Sequence, residues 1–243
     1  MRFAVVLALV WRTLQPGVEY TTAGTLHVVR VDPSRAKLSA ALSSELHVEP
    51  QTAGQWCRRS RLAVAINLGM FQTDQRSNVG YARNGRHLNN DRWNDYRAAV
   101  AIDAKHALWV DLDQPHSLEE LKRYDIVVQN LRLIAGSRRN VWAANARKWS
   151  EAALAIDSHG RLLFLFSRVP YSMREFNAMI LAMPLEVTRA MHLEGGPEAS
   201  LSIHAGGVDL DLCGSFETGF TEHDQNREQW PIPNVLGVVK SGS

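Results

Sequence analysis

Glu194 and Glu198 are the two carboxylates of the segment MHLEGGPEASL, which begins at Met191. Glu194 follows an apolar stretch, and Gly195-Gly196 after it allows positive φ angles and a close approach of the backbone to a bound group. A glutamate at a strand end, in a pocket of modest polarity, can have its pKa raised enough to protonate a leaving oxygen. The alternative is an ordinary hairpin turn beside a solvated glutamate, and both interpretations stay open on the residues alone.

The segment AINLGMF, from Ala65 to Phe71, is a second place where chemistry can occur. An apolar run ends there in Asn67, whose amide both donates and accepts hydrogen bonds. Gly69 then permits a tight exit towards a polar loop. The alternative is simple turn chemistry, since asparagine and glycine are common turn residues.

A third candidate is VVQNLRLI, which begins at Val127 and in which Gln129, Asn130 and Arg132 interrupt an apolar run. Polar side chains inside such a run require hydrogen-bond partners. If Arg132 faces a cavity, its planar guanidinium can hold a phosphate group through two hydrogen bonds. The alternative is an edge-strand arginine in water.

Residues 72–96 form a long polar stretch rich in asparagine, glycine and arginine. Loops of this length inside a compact domain are usually functional or disordered. Its aromatic residues Tyr81, Trp93 and Tyr96 favour an ordered loop that can stack on a sugar ring.

Several function classes are disfavoured by what the sequence lacks. It contains no G-x-S-x-G elbow, P-loop, G-x-G-x-x-G or H-E-x-x-H motif, which disfavours standard serine hydrolases, nucleotide enzymes and zincins. A net charge of +2 with scattered basic residues gives no indication of nucleic-acid binding. No stretch reaches the roughly 20 apolar residues of a membrane-spanning helix.

The N-terminus and the cysteines bear on the compartment. Residues 1–10 begin with Met1-Arg2 and continue as a short apolar run, which fits a truncated signal peptide or a first strand equally well. Cys57 and Cys213 are the only cysteines, and one long-range disulfide is an open possibility. We predict a periplasmic or secreted protein, although no signal cleavage site is evident.

The apolar patterning predicts a single α+β domain with a mixed, mainly antiparallel sheet and a few flanking helices. Capping signals place helices after Ser172 and after Ser117. A third helix is expected from about Thr52 to Arg59, with Trp56 on its buried side. The first of these presents Phe176, Met179, Ile180 and Met183 on one face and stops at Pro184. A hairpin is expected at Asp157-Ser158-His159-Gly160. The predicted strands are 26–31, 62–66, 98–102, 107–110, 126–128, 152–156 and 162–166.

The ordered set of segments resembles the phosphodiester glycosidase family. The family has a strand ending A-I-N-G-G-F-F, to which AINLGMF is similar, and a later N-L-D-G-G, which matches His192-Leu193-Glu194-Gly195-Gly196. The start of the chain, from Trp11 to Asp32, also looks like the start of such domains. The resemblance runs over 11–239, which we assign to one domain followed by a tail at 240–243.

The resemblance implies a hydrolase that cleaves a sugar 1-phosphodiester, or a related glycosidic bond, in an envelope or extracellular glycoconjugate. Glu194 is then the acid/base residue, and the second carboxylate is Glu198, with Asp74 and Glu217 as alternatives. Asn67 and Asn130 are expected to orient the sugar, with Gly69 beside them. The Gly195 and Gly196 amides are expected to contact an anionic oxygen, and Arg132 to balance phosphate charge. A divalent cation is a further possibility, without a loop that specifies its ligands.

Two departures from the family pattern stand out. The aspartate of the double-glycine motif is Glu194 here, and Glu151 occupies the place of an arginine that usually precedes an A-I-G-I strand. Arg147, or Arg132 and Arg83, are the candidates to replace that arginine. The alternative function is a non-catalytic glycan-binding or envelope-assembly module with the same fold.

Overall fold

The computed structural model describes residues 9–113, 118–215 and 224–242. Four helices occur in the described part of the chain: α1 (Ser43–Leu46), α2 (Ala53–Arg59), α3 (Leu118–Leu121) and α4 (Met173–Ala182), with a 3₁₀ turn at Gly196–Glu198. The strands, in chain order, are β1 (Arg12–Gln15), β2 (Val18–Ala23), β3 (Leu26–Val31), β4 (Leu38–Leu42), β5 (Leu62–Asn67), β6 (Ala82–Asn84), β7 (His87–Asn90), β8 (Ala98–Ile102), β9 (Ala107–Asp111), β10 (Ile126–Asn130), β11 (Arg132–Ala135), β12 (Arg139–Asn140), β13 (Trp149–Asp157), β14 (Leu162–Tyr171), β15 (Val187–Gly195), β16 (Ser200–Ala205), β17 (Val208–Cys213) and β18 (Asn234–Val239).

These strands form three antiparallel sheets. The β13 sheet has eight strands in the order β1-β2-β3-β14-β13-β15-β11-β12. The β10 sheet has the order β7-β6-β10-β8-β9, and the β5 sheet has the order β17-β16-β5-β18-β4. One hydrophobic core is shared by all three sheets, since Leu154, Val128 and Ile66 belong to the same buried cluster.

The outer face of each sheet is covered by a helix. Phe176 and Ile180 of α4 pack on the β13 sheet, Trp56 of α2 packs on the β5 sheet, and Leu121 of α3 packs on the β10 sheet. Strands at the centre of a sheet are therefore buried on both faces, as is the case for all nine residues of β13. Continuous apolar runs in the sequence reflect this double burial.

All seven predicted strands are present; two have the predicted bounds and five are longer by one to five residues. The 157–160 hairpin joins β13 to β14, with Gly160 at φ +77°. The capping boxes of α2 and α4 are formed, with the Thr52 and Ser172 hydroxyls accepting from the Gln55 and Glu175 amides. Ser117, the predicted cap of the remaining helix, lies outside the described residues.

The fold class requires a correction, because the described chain is 48% strand and 12% helix and is therefore mostly β. The mainly antiparallel sheet with few helices is confirmed, whereas a balanced α+β class is wrong. The physical reason is that most strands are joined by short turns to antiparallel neighbours. The helices cover sheet faces and do not connect parallel strands.

Other sequence-based expectations concern the chain ends and the cysteines. The predicted signal or first strand at 1–10 lies outside the described residues except for Leu9 and Val10, which are not in a strand. Cys57 and Cys213 are both buried free thiols. Within the described ranges, no helix combines the length and apolar character needed to cross a membrane.

Candidate active site

A cavity of about 460 Å³ opens where the three sheets meet. One strand end from each sheet lies in its wall: the residues that follow β5, the residue between β10 and β11, and the end of β15. All three segments singled out in the sequence thus contribute to its wall. The lining residues are Met70, Phe71, Val79, Leu131, Trp142, Trp149, Met173, His192, Glu194, Gly195 and Glu198.

The titratable groups of the cavity come from two adjacent strands of the β13 sheet. In the β13–β15 register, Glu151 lies opposite Gly195, Ala152 opposite Glu194 and Ala153 opposite His192, so Leu193 is an extra residue in β15. Leu193 points into the shared core. Its neighbours His192 and Glu194 point to the other face, towards Glu151, because side chains alternate along a strand.

Glu194 is partly accessible through the cavity mouth and otherwise surrounded by protein atoms. Burial raises the pKa of its carboxyl to about 7, since the charged form loses its water. His192 and the Gly195 amide, which lies 3.1 Å from Oε1, oppose this rise, while Glu198 and Glu151 add to it. A carboxyl with this pKa is suited to both proton donation and proton acceptance near neutral pH.

Glu151 and His192 form a buried pair beside Glu194, with exposed fractions of 2% and 4%. Glu151 Oε1 lies 2.5 Å from His192 Nδ1, and Glu151 Oε2 accepts from Trp149 Nε1 at 2.8 Å. Burial raises the pKa of Glu151, although the facing imidazole opposes the rise. Burial alone would lower the pKa of His192, but the negative charges of Glu151 and Glu194 outweigh it and the pKa is raised.

Sequence reasoning missed this pair as a functional unit. Glu151 was noted only as the replacement of an arginine, and His192 only as a motif position. The available signal was a carboxylate inside an apolar strand and a histidine inside another. Buried charges of opposite sign require each other as partners.

Gly195 and Gly196 have different structural requirements. A Cβ on Gly195 would lie 2.5 Å from Trp149 Cδ1, so this glycine allows the indole to pack against β15. Gly196 has φ +67° and is buried at the start of the 3₁₀ turn. Gly195 lines the cavity, whereas Gly196 does not.

Asn67 and Asn130 do not line the cavity but hold its walls together. Asn67 Nδ2 donates to the Glu198 carbonyl at 3.0 Å, and its Oδ1 accepts from the Ser200 amide at 2.8 Å. Asn130 Nδ2 donates to the Leu68 carbonyl at 3.0 Å. Gly69 packs against this amide, because a Cβ there would lie 2.4 Å from Asn130 Oδ1.

The predicted arginines also lie away from the cavity. Arg132 pairs with Asp111 and Asp113 and lines a neighbouring pocket of about 300 Å³, which shares Leu131 and Trp142 with the cavity. Arg83 donates to the carbonyls of Gly85, Leu121 and Tyr124 and thereby ties the end of α3 to β6. Arg147 is exposed and does not line the cavity.

The possible second carboxylates differ in position. Glu198 lines the cavity and raises the pKa of Glu194 by its charge. Asp74 caps an exposed turn by accepting from the amides of Arg76 and Ser77, so it is not a cavity residue. Glu217 lies outside the described residues.

The asparagine-rich stretch was predicted to be a loop ordered by its aromatic residues, but it contains strands β6 and β7 and is held by amide side chains. Gln129 is fully buried, donates to the carbonyls of Asn94 and Tyr96, and accepts from the amides of Tyr81 and Asn94. Tyr81 and Trp93 stack on each other at 4.4 Å between ring centroids, which engages one face of each ring. Tyr96 lies near the acid, since burial and the charge of Glu194 raise the pKa of its phenol.

Metal binding has little support in the described ranges. No group of three or more His, Cys, Asp or Glu side chains there is arranged to hold a metal ion. The divalent cation stays a prediction, and no chemical step is assigned to it.

Comparisons with known proteins agree with this architecture. The catalytic domain of zebrafish N-acetylglucosamine-1-phosphodiester alpha-N-acetylglucosaminidase, auto-inhibited by its pro-peptide, is similar with a TM-score of 0.63 and 15% identity, over 99% of this chain and 85% of that chain. A hypothetical protein from Synechocystis gives a TM-score of 0.63 and 14% identity, over 95% of this chain and 61% of that chain. At these identities the likeness concerns the fold.

The sequence comparison identifies the family, which the structural similarity at these identities does not. No curated protein matches the chain. The model of the phosphodiester glycosidase family matches residues 60–239, a span that includes AINLGMF, VVQNLRLI and MHLEGGPEASL. The match extends over well over half of the sequence, and the chain therefore belongs to the phosphodiester glycosidase family.

Proposed function

We propose that the protein is a glycosidase-type hydrolase that cleaves a sugar 1-phosphodiester, with Glu194 as the acid/base residue. The observation that carries the proposal is the carboxyl of Glu194, with its pKa of about 7, in the wall of the cavity. Family membership supports the reaction class.

The cavity wall has the character of a sugar site. Trp142, Trp149, Phe71 and Met173 supply aromatic and apolar surface, while Glu194 and Glu198 supply polar contacts. The volume of about 460 Å³ lies in the usual range of small-molecule pockets, roughly 300–1,000 Å³. A sugar ring can stack on an indole and direct its hydroxyls at the carboxylates.

In the proposed reaction, protonated Glu194 donates to the oxygen that leaves the anomeric carbon. The bond between that carbon and the oxygen breaks, water supplies the new hydroxyl, and the other proton of that water passes to a carboxylate of the cavity. Glu198, the second carboxylate of the cavity, is proposed to act on the opposite side of the sugar, as paired carboxylates do in most glycosidases.

The asparagines and Arg132 have supporting parts in this proposal. Asn67 and Asn130 fix the backbone turns that carry Glu198 and Leu68. Arg132 is proposed to face the portion of the substrate that extends into the neighbouring pocket, past Trp142. Arg83 is assigned no substrate contact.

The test is hydrolysis of a sugar 1-phosphodiester by Glu194→Gln. The amide cannot donate an acidic proton, so kcat/KM is expected to fall at least ~100-fold. Glu186→Gln is the matched control, because Glu186 is an exposed carboxylate at the other end of β15. Equal activity of Glu194→Gln and the parent protein would contradict the assignment.

A second candidate function is a glycan-binding module without catalysis. It is favoured by Glu151, which occupies the place of the family's arginine and is engaged with His192 and Trp149. Saturable glycan binding by a parent protein that shows no turnover would support this alternative. Either function is proposed to serve an envelope or extracellular glycoconjugate, which cell fractionation tests.

A further inference from the structure

The two ring nitrogens of His192 have different surroundings. Nδ1 lies 2.5 Å from Glu151 Oε1. The ring also lines the cavity, and Nε2 has no hydrogen-bond partner among the described residues. Since Trp149 donates to the other oxygen of Glu151, the carboxyl cannot rotate without losing a buried hydrogen bond. Glu151 therefore fixes the ring with Nε2 as its unpartnered edge.

Burial determines where the protons of this pair reside. A completely buried pair is stable when its net charge is zero, because an uncompensated charge loses its solvation. Two neutral arrangements exist: imidazolium with carboxylate, and neutral imidazole accepting at Nδ1 from a protonated carboxyl. Nε2 carries a hydrogen in both. The pair therefore presents a hydrogen-bond donor at Nε2 whichever partner holds the second proton.

The cavity contains few alternatives for contacting an anion. Its described lining includes no lysine or arginine, and the ionisable groups around His192 are Glu151 on β13, Glu194 on β15, Glu198 on the 3₁₀ turn and Tyr96 near Glu194. Among the described lining residues, His192 alone combines a fixed position with a ring N–H that has no hydrogen-bond partner, since the Trp142 and Trp149 ring N–H groups are both engaged.

We propose that His192 Nε2–H is the contact for an anionic phosphate oxygen of the substrate, and that Glu151 is the residue that positions it. This inference rests on the proposed function, because it identifies the cavity end that takes the phosphodiester. It also gives a physical role to the exchange of the family's arginine for Glu151: the donor moves from a guanidinium to the imidazole that Glu151 supports.

The two nitrogen contacts of Glu151 allow a sharp test by substitution. In Glu151→Gln, the amide oxygen accepts from Trp149 Nε1, so the amide NH₂ must face His192 Nδ1 and the ring keeps its hydrogen on Nε2. In Glu151→Ala both partners lose their contact. His192→Asn keeps a group near Glu151 but removes the nitrogen that reaches the cavity.

Binding of dimethyl phosphate, a phosphodiester monoanion, is measured by NMR titration of the full chain. His192→Asn and Glu151→Ala are each expected to raise the Kd at least ~10-fold, and Glu151→Gln to bind at least ~5-fold more tightly than Glu151→Ala. His204→Asn is the control, since His204 is a histidine paired with Asp209 in the β5 sheet. Absence of saturable binding to the parent protein, or equal Kd values for His192→Asn and the parent, would overturn the inference.

The pH profile separates positioning from simple structural support. Deprotonation leaves the Glu151–His192 pair with a net negative charge and a lone pair at Nε2, so the parent protein is expected to lose dimethyl phosphate binding as pH rises. Both proteins carry Glu194→Gln in this comparison, because ionisation of Glu194, with its pKa of about 7, would also weaken anion binding. Glu151→Gln has no deprotonation of the pair and should keep its affinity to higher pH. Parallel profiles for the two proteins would contradict the positioning role of Glu151.

Turnover distinguishes this inference from the proposed function. Binding through His192 without hydrolysis of any sugar 1-phosphodiester contradicts the proposed function alone. Hydrolysis that depends on Glu194, with phosphate binding that does not depend on His192, contradicts this inference alone.

Discussion

Two histidine–carboxylate pairs in this protein have the same chemistry and opposite surroundings. His192 Nδ1 contacts Glu151 across neighbouring strands of the β13 sheet, and His204 Nδ1 contacts Asp209 across the β16–β17 hairpin. The side chain of Glu151 is 2% exposed, whereas that of Asp209 is 87% exposed. Water competes for the second pair and is excluded from the first. The comparison shows that burial, and not the pairing itself, creates a group with a defined proton state.

The largest expected difference between the pairs is in stability. Removing one partner of a buried ion pair leaves an uncompensated polar group, so Glu151→Ala should lower the free energy of unfolding by about 3–5 kcal/mol. Asp209→Ala removes an exposed partner and should cost about 0–1 kcal/mol. Urea denaturation at pH 7 measures both. Equal losses would show that the two pairs do not differ in the way their burial indicates.

The next effect is the pH dependence of stability that Glu194 contributes. Its pKa in the folded protein is raised to about 7 from an ordinary value of 4.5, so the folded state holds the proton more tightly than the unfolded chain. The contribution is fully present below about pH 4.5 and is lost as pH rises through 7. After allowance for its partial exposure, we expect about 2 kcal/mol to be lost between pH 5 and 8.

Glu194→Gln tests this contribution, because glutamine does not titrate. The variant should lose less stability between pH 5 and 8 than the parent protein, in thermal or urea unfolding at several pH values. A Glu194→Gln profile that coincides with that of the parent would show that Glu194 has an ordinary pKa.

An effect of similar size is expected at Gly195, against which the Trp149 indole packs. A methyl group there would overlap the indole, so Gly195→Ala should cost about 1–3 kcal/mol through displacement of that ring. The displacement also weakens the Trp149–Glu151 hydrogen bond. Ala205→Gly, next to His204, serves as the control. Gly85→Ala does not, because Gly85 has a positive φ that alanine adopts only with strain. Tryptophan fluorescence reports the indole displacement, and an unchanged spectrum with unchanged stability would contradict it.

Local features of this protein follow closely from its sequence. Strand positions such as 26–31 and 98–102 were predicted because β-branched and apolar residues concentrate there. The capped start of α4 was predicted because its cap is formed by two residues three positions apart, Ser172 and Glu175. Both signals depend on neighbours in the chain. The family could also be identified from the sequence, since its motifs are short runs of residues with fixed spacing.

The roles of individual polar residues were harder to predict from the sequence. Asn67 and Asn130 were predicted to orient a sugar, yet their amides bond to the backbone at Glu198 and Leu68. Arg132 was predicted to meet a phosphate in the same cavity, yet it pairs with Asp111 and Asp113 in the next pocket. Each partner is distant in sequence, and a polar side chain bonds to whatever group the fold brings within reach.

The sequence by itself determined where seven of the eighteen strands and three of the four helices of the described chain form. It also determined that the protein belongs to a particular family, and that Glu194 follows an apolar run and precedes two glycines. Only the tertiary structure decided that β5, β10 and β15, which lie in three different sheets, end at one cavity. It alone decided that Glu151 and His192 face each other across neighbouring strands, away from water. The physical reason is that strand propensity and turn chemistry act over a few residues. Burial and the resulting proton states depend on which distant segments pack together.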